Sequence, residues 1–133
     1  MEVKEKKLVR FWKNKRVLIT GHTGFKGGWL SLWLSYLGTN VLGYSLKPKG
    51  KKNFFNTINL SKEINSVIGN IKNYKKLSKL INEFQPDIIF HMAAQPLVID
   101  SYINPRDTYE TNVMGTKILV PPLCLGVPKA IGL

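Results

Sequence analysis

Val17-Leu18-Ile19-Thr20-Gly21-His22-Thr23-Gly24-Phe25-Lys26-Gly27-Gly28 is the stretch that decides the fold. An unbroken apolar run leads into glycines spaced G-x-x-G-x-x-G. Leu30, Trp33, Leu34 and Leu37 then follow at i, i+3, i+4, i+7. The run reads as a strand buried on both faces and the later spacing as an amphipathic helix. Between them, Gly21 permits a tight turn off the strand. Gly24 lets a phosphate approach the backbone, and Gly27 lets the helix pack close to the sheet. Backbone N–H groups at a helix start so placed hold a pyrophosphate, which makes nucleotide binding the leading expectation. Alone the triplet is a weak signal, and its spacing is not G-x-G-x-x-G. Its place between strand and helix gives it weight over a ligand-free turn.

Further along, the pattern repeats. Gly38 stands where a helix-closing glycine belongs, and Asn40–Leu46 reads as a second strand. Residues 47–53 carry Pro48 and Gly50 and form a loop. A short helix is expected over 60–66 with Ser61 as cap, then a third strand over Ser66–Ile71. Asn73 caps a helix to Phe84 with Leu77, Leu80, Ile81 and Phe84 on one stripe. Asp87–His91 is the fourth strand, and a further helix is expected from Asp107 to Val120. Strands alternating with helices of this length predict βαβ units and a parallel sheet. The expected fold is α/β: a Rossmann-like doubly wound parallel sheet, cut after about the fifth strand. Its divisions are a charged lead-in (1–14), a partial Rossmann-like dinucleotide-binding domain (15–120) and a divergent tail (121–133). Pro121-Pro122 would end the last helix, and Lys129–Leu133 could start a fifth strand.

The chain has 133 residues and a net charge of +12, of which residues 1–62 carry +11. The basic clusters Lys4–Arg16 and Lys47–Lys52 are short of interleaved stacking aromatics, so they read as solvated surface before they read as a nucleic-acid face. No nucleic-acid partner is expected. Apolar runs are too short to span a bilayer, the N-terminus lacks a secretory pattern, and a cytoplasmic location is expected. The single cysteine, Cys124, leaves no internal disulfide, and no metal site is expected, because neither His22 nor His91 has a second ligand at suitable spacing.

A dinucleotide fold usually puts an acid about 20 residues past the loop, for the ribose hydroxyl. Here no acid stands between Glu5 and Glu63. Lys47 and Lys49 could face a 2′-phosphate instead, or be ordinary loop lysines. NAD and NADP are therefore left open by the residues themselves. His91-Met92-Ala93-Ala94-Gln95 closes the fourth strand with small residues against which a flat ligand could lie.

Together TGHTGFKGGWLSLWL, HMAAQPLV and Thr111-Asn112-Val113-Met114-Gly115-Thr116 resemble the CDP-glucose 4,6-dehydratases of the extended short-chain dehydrogenase/reductase family. The likeness runs from Phe11 to Leu119, about the first third of such an enzyme. It implies a bound NAD recycled within one turnover. The sugar C4 hydroxyl is oxidised, water leaves across C5–C6, and the hydride returns to C6, giving CDP-4-keto-6-deoxyglucose for surface polysaccharides.

By the same likeness the cofactor would meet Gly21, Thr23, Gly24, Phe25, Lys26 and Gly27 around the pyrophosphate. Asn70 and Ile71 would lie at the adenine, where the family often has Gly-Asp-Ile. Ala93, Ala94 and Gln95 would line the ribose and nicotinamide, with Thr111 near by and Asn112 bracing the sheet. CDP-glucose would be the substrate, and full-length members would be homodimers. No catalytic residue is assigned, since the family's Ser/Thr and Tyr-x-x-x-Lys come later than Leu133. The ending resembles a truncated or frame-disturbed product, and no dehydratase turnover is expected of these 133 residues. A non-catalytic nucleotide-binding module, or another NAD(P)-dependent nucleotide-sugar epimerase or dehydratase, is the alternative.

Overall fold

The computed structural model describes residues 2–50, 52–95, 97–117, 119 and 130–132. Its sheet contains β1 (Arg16–Thr20), β2 (Asn40–Ser45), β3 (Asn65–Ile68), β4 (Ile88–His91) and β5 (Ala130–Gly132), in the order β3-β2-β1-β4-β5. Every pairing is parallel. Val17 sits opposite Val41 on one side and Ile88 on the other, so β1 is the centre of the sheet. Chain order runs outward from β1 to β3, then restarts across it at β4. That reversal opens a crevice at the carboxyl ends of β1 and β4.

The alternation of β1 sorts the core into two layers. Val17 and Ile19 join Leu34, Leu37, Val41, Phe55, Leu60 and Ile88 on one face. Leu18 joins Leu42, Tyr44, Ile71, Leu77, Ile81 and Ile89 on the other. The first face is covered by α2 (Phe25–Tyr36) and the second by α5 (Tyr74–Phe84), the doubly wound arrangement expected of the sequence. Gly38 follows α2 at φ +76°, and its N–H bonds Ser35 O at 2.9 Å. Asn73 caps α5, accepting from the Lys76 N–H at 3.1 Å. At the other end Gln85 turns into the left-handed region at φ +50° just before the buried Pro86.

Several expectations are corrected. Residues 2–12 of the lead-in form one helix, α1 (Glu2–Trp12), whose Trp12 packs on Phe90. The buried residues of α2 are Gly27, Gly28, Ser31 and Leu34, and Trp33 is half exposed. Gly27 lies against the Gly21 backbone and Gly28 against the Phe54 ring, which leaves no room for larger side chains. α2 begins at Phe25, with Gly24 at its cap.

Before β3 come two single turns, α3 (Phe54–Thr57) and α4 (Leu60–Glu63). Asn59 in the left-handed region, not Ser61, precedes the second. β3 starts a residue early and ends at Ile68, because Gly69 and Asn70 turn away under Tyr44. The helix expected from Asp107 starts with Pro105 as α7 (Pro105–Tyr109) and passes through a π turn, Glu110–Met114. Ahead of it lies an unexpected short helix, α6 (Val98–Ile103). Pro121-Pro122 lie outside the described residues, while β5 falls within the expected fifth strand.

Candidate functional site at the carboxyl edge of the sheet

All the strands being parallel, the loops after β1, β2, β3 and β4 leave from the same edge. The loop after β1 is the tightest. Gly21 takes φ +83°, and a Cβ there would stand 2.7 Å from Met92 O and 2.8 Å from Ala93 N. No L side chain fits between the two loops at that point. Gly27 folds back beneath Gly21, and a Cβ on it would strike the Gly21 carbonyl. At Gly24 the surroundings are open apart from Gly21 O at 3.3 Å. Gly21 makes the turn, Gly27 packs closely beneath it, and Gly24 is left open.

The start of α2 is electrically bare. Its cap residue is Gly24, with no side-chain cap and no acid in the first turn. The first intrahelical bond is Gly28 N–H to Gly24 O at 2.8 Å. The N–H groups of Phe25, Lys26 and Gly27 therefore have no acceptor within the helix. They and the helix dipole present a partial positive charge. Phe25 and Lys26 are exposed on this turn, and Phe25 packs edge-on against Phe54, centroids 5.6 Å apart.

The loop is pinned to β2 and β3. Gly21 N–H donates to Tyr44 O at 2.9 Å. Thr23 donates its hydroxyl proton to Leu46 O at 2.9 Å, leaving Ser45 to donate to Thr23 Oγ1 at 2.8 Å. His22 is fully buried, its Nε2 2.7 Å from Ser66 Oγ and its ring edge-on to Phe55. Among the described residues its Nδ1 has no hydrogen-bond partner. Burial pushes its pKa down to about 4, the Tyr44 backbone offsetting only part of that. The ring is neutral at pH 7 and serves as packing.

The loop after β3 contributes Asn70 and Ile71. Asn70 Oδ1 already accepts the Lys72 N–H at 2.9 Å, and its backbone carbonyl accepts the Tyr44 hydroxyl at 2.9 Å. Oδ1 keeps a second lone pair and can accept one further donor. The Ile71 side chain is buried in the core beside Gly115, so only its backbone is left for the edge.

After β4, Ala93 is half buried and Ala94 exposed. Gln95 is held through its backbone: Asn112 Oδ1 accepts the Gln95 N–H at 2.7 Å, and Asn112 Nδ2 donates to Gln95 O at 3.2 Å. Its side chain donates to Asp100 at 2.6 Å. The sheet edge and the π turn bearing Thr111 and Asn112 are thereby joined. A polar cavity of about 290 Å³ lies beside this junction, lined by Gln95, Asp100, Ile103, Asn104, Asp107 and Thr108. A wider groove, of about 560 Å³, lies elsewhere, along Glu5, Lys6, Val9, Arg10 and Lys13. The expected site residues lie on the loops after β1, β3 and β4, on the first turn of α2 and on the π turn. Thr20, Ser45 and Ser66, which hold those loops, were not picked out in the sequence. Thr20 gives a signal in hindsight, a hydroxyl closing a buried apolar run.

Residues 18–122 match the family described as GDP-mannose 4,6 dehydratase. The chain belongs to the GDP-mannose 4,6-dehydratase family. Among curated relatives, a CDP-glucose 4,6-dehydratase of Salmonella typhimurium is 54% identical over 106 residues, covering 80% of this chain and 30% of the relative. A GDP-mannose 4,6-dehydratase of Yersinia enterocolitica is 32% identical, covering 77% and 29%. This member of the family thus spans about 30% of the length of those relatives. Solved structures share the fold. A UDP-glucose 4-epimerase from Thermotoga maritima with UDP-glucose superimposes with a TM-score of 0.78 at 26% identity, over 88% of this chain and 37% of that one. The Thermus thermophilus UDP-glucose 4-epimerase complex with NAD gives 0.75 at 28% identity, over 86% and 36%. Among the described residues, no helix is long and apolar enough to cross a membrane.

Proposed function

We propose that this chain holds NAD across the carboxyl edge of its sheet, as the cofactor portion of a dehydratase acting on CDP-glucose. The observation that carries the cofactor assignment is the uncapped, acid-free start of α2 at the crevice, with room at Gly24 for a ligand. A diphosphate there would receive the N–H groups of the first turn, with Lys26 adding a cation. The other contacts proposed are Gly21, Thr23, Phe25 and Gly27 in the same loop, Asn70 and Ile71 at the adenine, and Ala93, Ala94, Gln95 and Thr111 toward the nicotinamide. NAD when bound accepts and returns a hydride. The protein's own share is to orient it through the loops after β1, β3 and β4. The choice of CDP-glucose rests on the 54% identity to the Salmonella enzyme.

These 133 residues contain no Tyr-x-x-x-Lys pair, so binding without turnover is the expected behaviour. Calorimetry with NAD and NADP tests the first part, and incubation with CDP-glucose and NAD the second. NAD binding without a 4-keto product fits the proposal. Absence of binding to either cofactor at millimolar concentration refutes the cofactor assignment, and a 4-keto product refutes the inactivity. Tighter binding of NADP would assign Lys47 and Lys49 to a 2′-phosphate.

A further inference from the structure

The ring of His91 at the end of β4 joins two elements distant in sequence. Nδ1 is 2.7 Å from Thr20 Oγ1 on β1, and Nε2 is 2.9 Å from Thr116 Oγ1 on the helix that follows the π turn. The direction of each bond can be worked out. Thr116 gives its only hydroxyl proton to Asn112 O, at 2.6 Å. Its oxygen must therefore accept from His91, whose Nε2 carries the proton. A neutral imidazole has one N–H, so Nδ1 accepts, and Thr20 donates to it. Thr20 Oγ1 in turn accepts from the Met92 N–H at 3.2 Å and the Ala93 N–H at 3.3 Å.

We infer that His91, held as its Nε2–H tautomer, is a positioning residue that clamps the loop 92–95 to the helix carrying Thr111 and Asn112. The loop is tied at one end through Thr20 to residues 92 and 93. It is tied at the other through Asn112 to Gln95, at 2.7 and 3.2 Å. His91 connects the two ties, and so fixes the separation of loop and helix across the crevice. A second proton on the ring would aim another N–H at Thr20 Oγ1, which already accepts two backbone N–H groups and would have to redirect its own proton. The clamp accordingly works only with a neutral ring.

Burial lowers the His91 pKa, in the same sense. The groups bonded to the ring are Thr20 from β1 and Thr116 from the helix. Among the described residues, Asp100 is the carboxylate tied to this network, and its bond is to Gln95 and not to the ring.

The clamp stands on geometry; its effect on cofactor affinity rests on the proposed NAD site. Long-range ¹H–¹⁵N NMR of the uniformly ¹⁵N-labelled chain reads the tautomer directly, with His22→Gln identifying which signals are His91. The expected result at pH 7 is a protonated Nε2 and a bare Nδ1, with the pattern lost in Thr116→Val and the Asn112 side-chain amide signals shifted. NAD affinity should fall about tenfold in Thr116→Val and in His91→Leu, the effect of one ordinary hydrogen bond. His91→Gln should regain part of that loss, since its carboxamide can accept from Thr20 and donate to Thr116. A protonated Nδ1, a doubly protonated ring at pH 7, or unchanged tautomer and amide signals in Thr116→Val would overturn the inference. Should the wild-type chain fail to bind NAD, the proposed function falls while the NMR result still decides the clamp.

Discussion

Replacing Gly27 with alanine sets two effects against each other. In a helix, Gly→Ala ordinarily stabilises by about 0.5–1 kcal/mol, because glycine loses more chain entropy on folding. Here the new methyl would run into the Gly21 carbonyl oxygen, with Gly21 C at 2.8 Å and His22 Cα at 3.0 Å. Overpacking a well-filled site costs about 1–3 kcal/mol. All three obstructing atoms are backbone, in a loop pinned by the Gly21–Tyr44 and His22–Ser66 bonds, so no rotamer change relieves them. The cost belongs at the upper end, and the net expectation is a loss of about 2 kcal/mol. Urea unfolding should show a lower midpoint at an unchanged slope, and the melting temperature should drop by about 5–10 °C. Gly28→Ala is the control. There the methyl would meet Phe54 Cδ1 at 2.8 Å, a side chain that can swing away, so the loss should be smaller. If Gly27→Ala proves as stable as the parent, or Gly28→Ala the more damaging, the argument that backbone contact beneath Gly21 fixes the loop is wrong.

Acid should weaken the fold through the buried His22 ring. His22 binds a proton at about 4 when folded and near 6.5 when unfolded. Its stabilising effect is thus complete above 6.5 and lost as pH falls toward 4, by at most about 3 kcal/mol. Urea midpoints across that range should flatten in His22→Gln, leaving the smaller slope that His91 contributes with the same sign. Leu77→Ala, emptying a fully buried position under α5, should cost about 2–5 kcal/mol by denaturant unfolding. Tyr44→Phe removes the bond to Asn70 O, and a loss of about 1 kcal/mol is expected by the same measurement.

β1, the turn at Gly21 and α5 are legible in the sequence, because each depends on residues adjacent in the chain. Apolar runs, glycine spacing and the Asn73 cap are local signals. The buried face of α2 was not legible in the same way. Periodicity put Trp33 in the core, whereas the Gly21 and His22 backbone demanded a small residue at Gly27, a demand that belongs to the partner surface and leaves no trace in the helix's own hydrophobic pattern. Thr20 and His91 meet only because β4 crosses over to pair with β1, and Ser66 meets His22 only through strand order. The extent of α1 and the existence of α6 were missed because neither has a clear apolar stripe: Val3, Phe11, Ile99 and Ile103 are exposed.

Gly43 and His22 occupy one volume. A Cβ at residue 43 would collide with the face of the imidazole ring, 2.5 Å from Cδ2 and 2.7 Å from Nδ1. The two positions therefore cannot vary independently. A larger residue at 43 is admissible only in a chain that has first given up the ring at 22, and a histidine at 22 only in one with glycine at 43. Mutational paths between these two states must pass through the small–small pair, with the void it leaves under Phe55, or else through a collision at the centre of β2. The identity of a residue in the glycine loop is in this way bound to one in the neighbouring strand, 21 positions on.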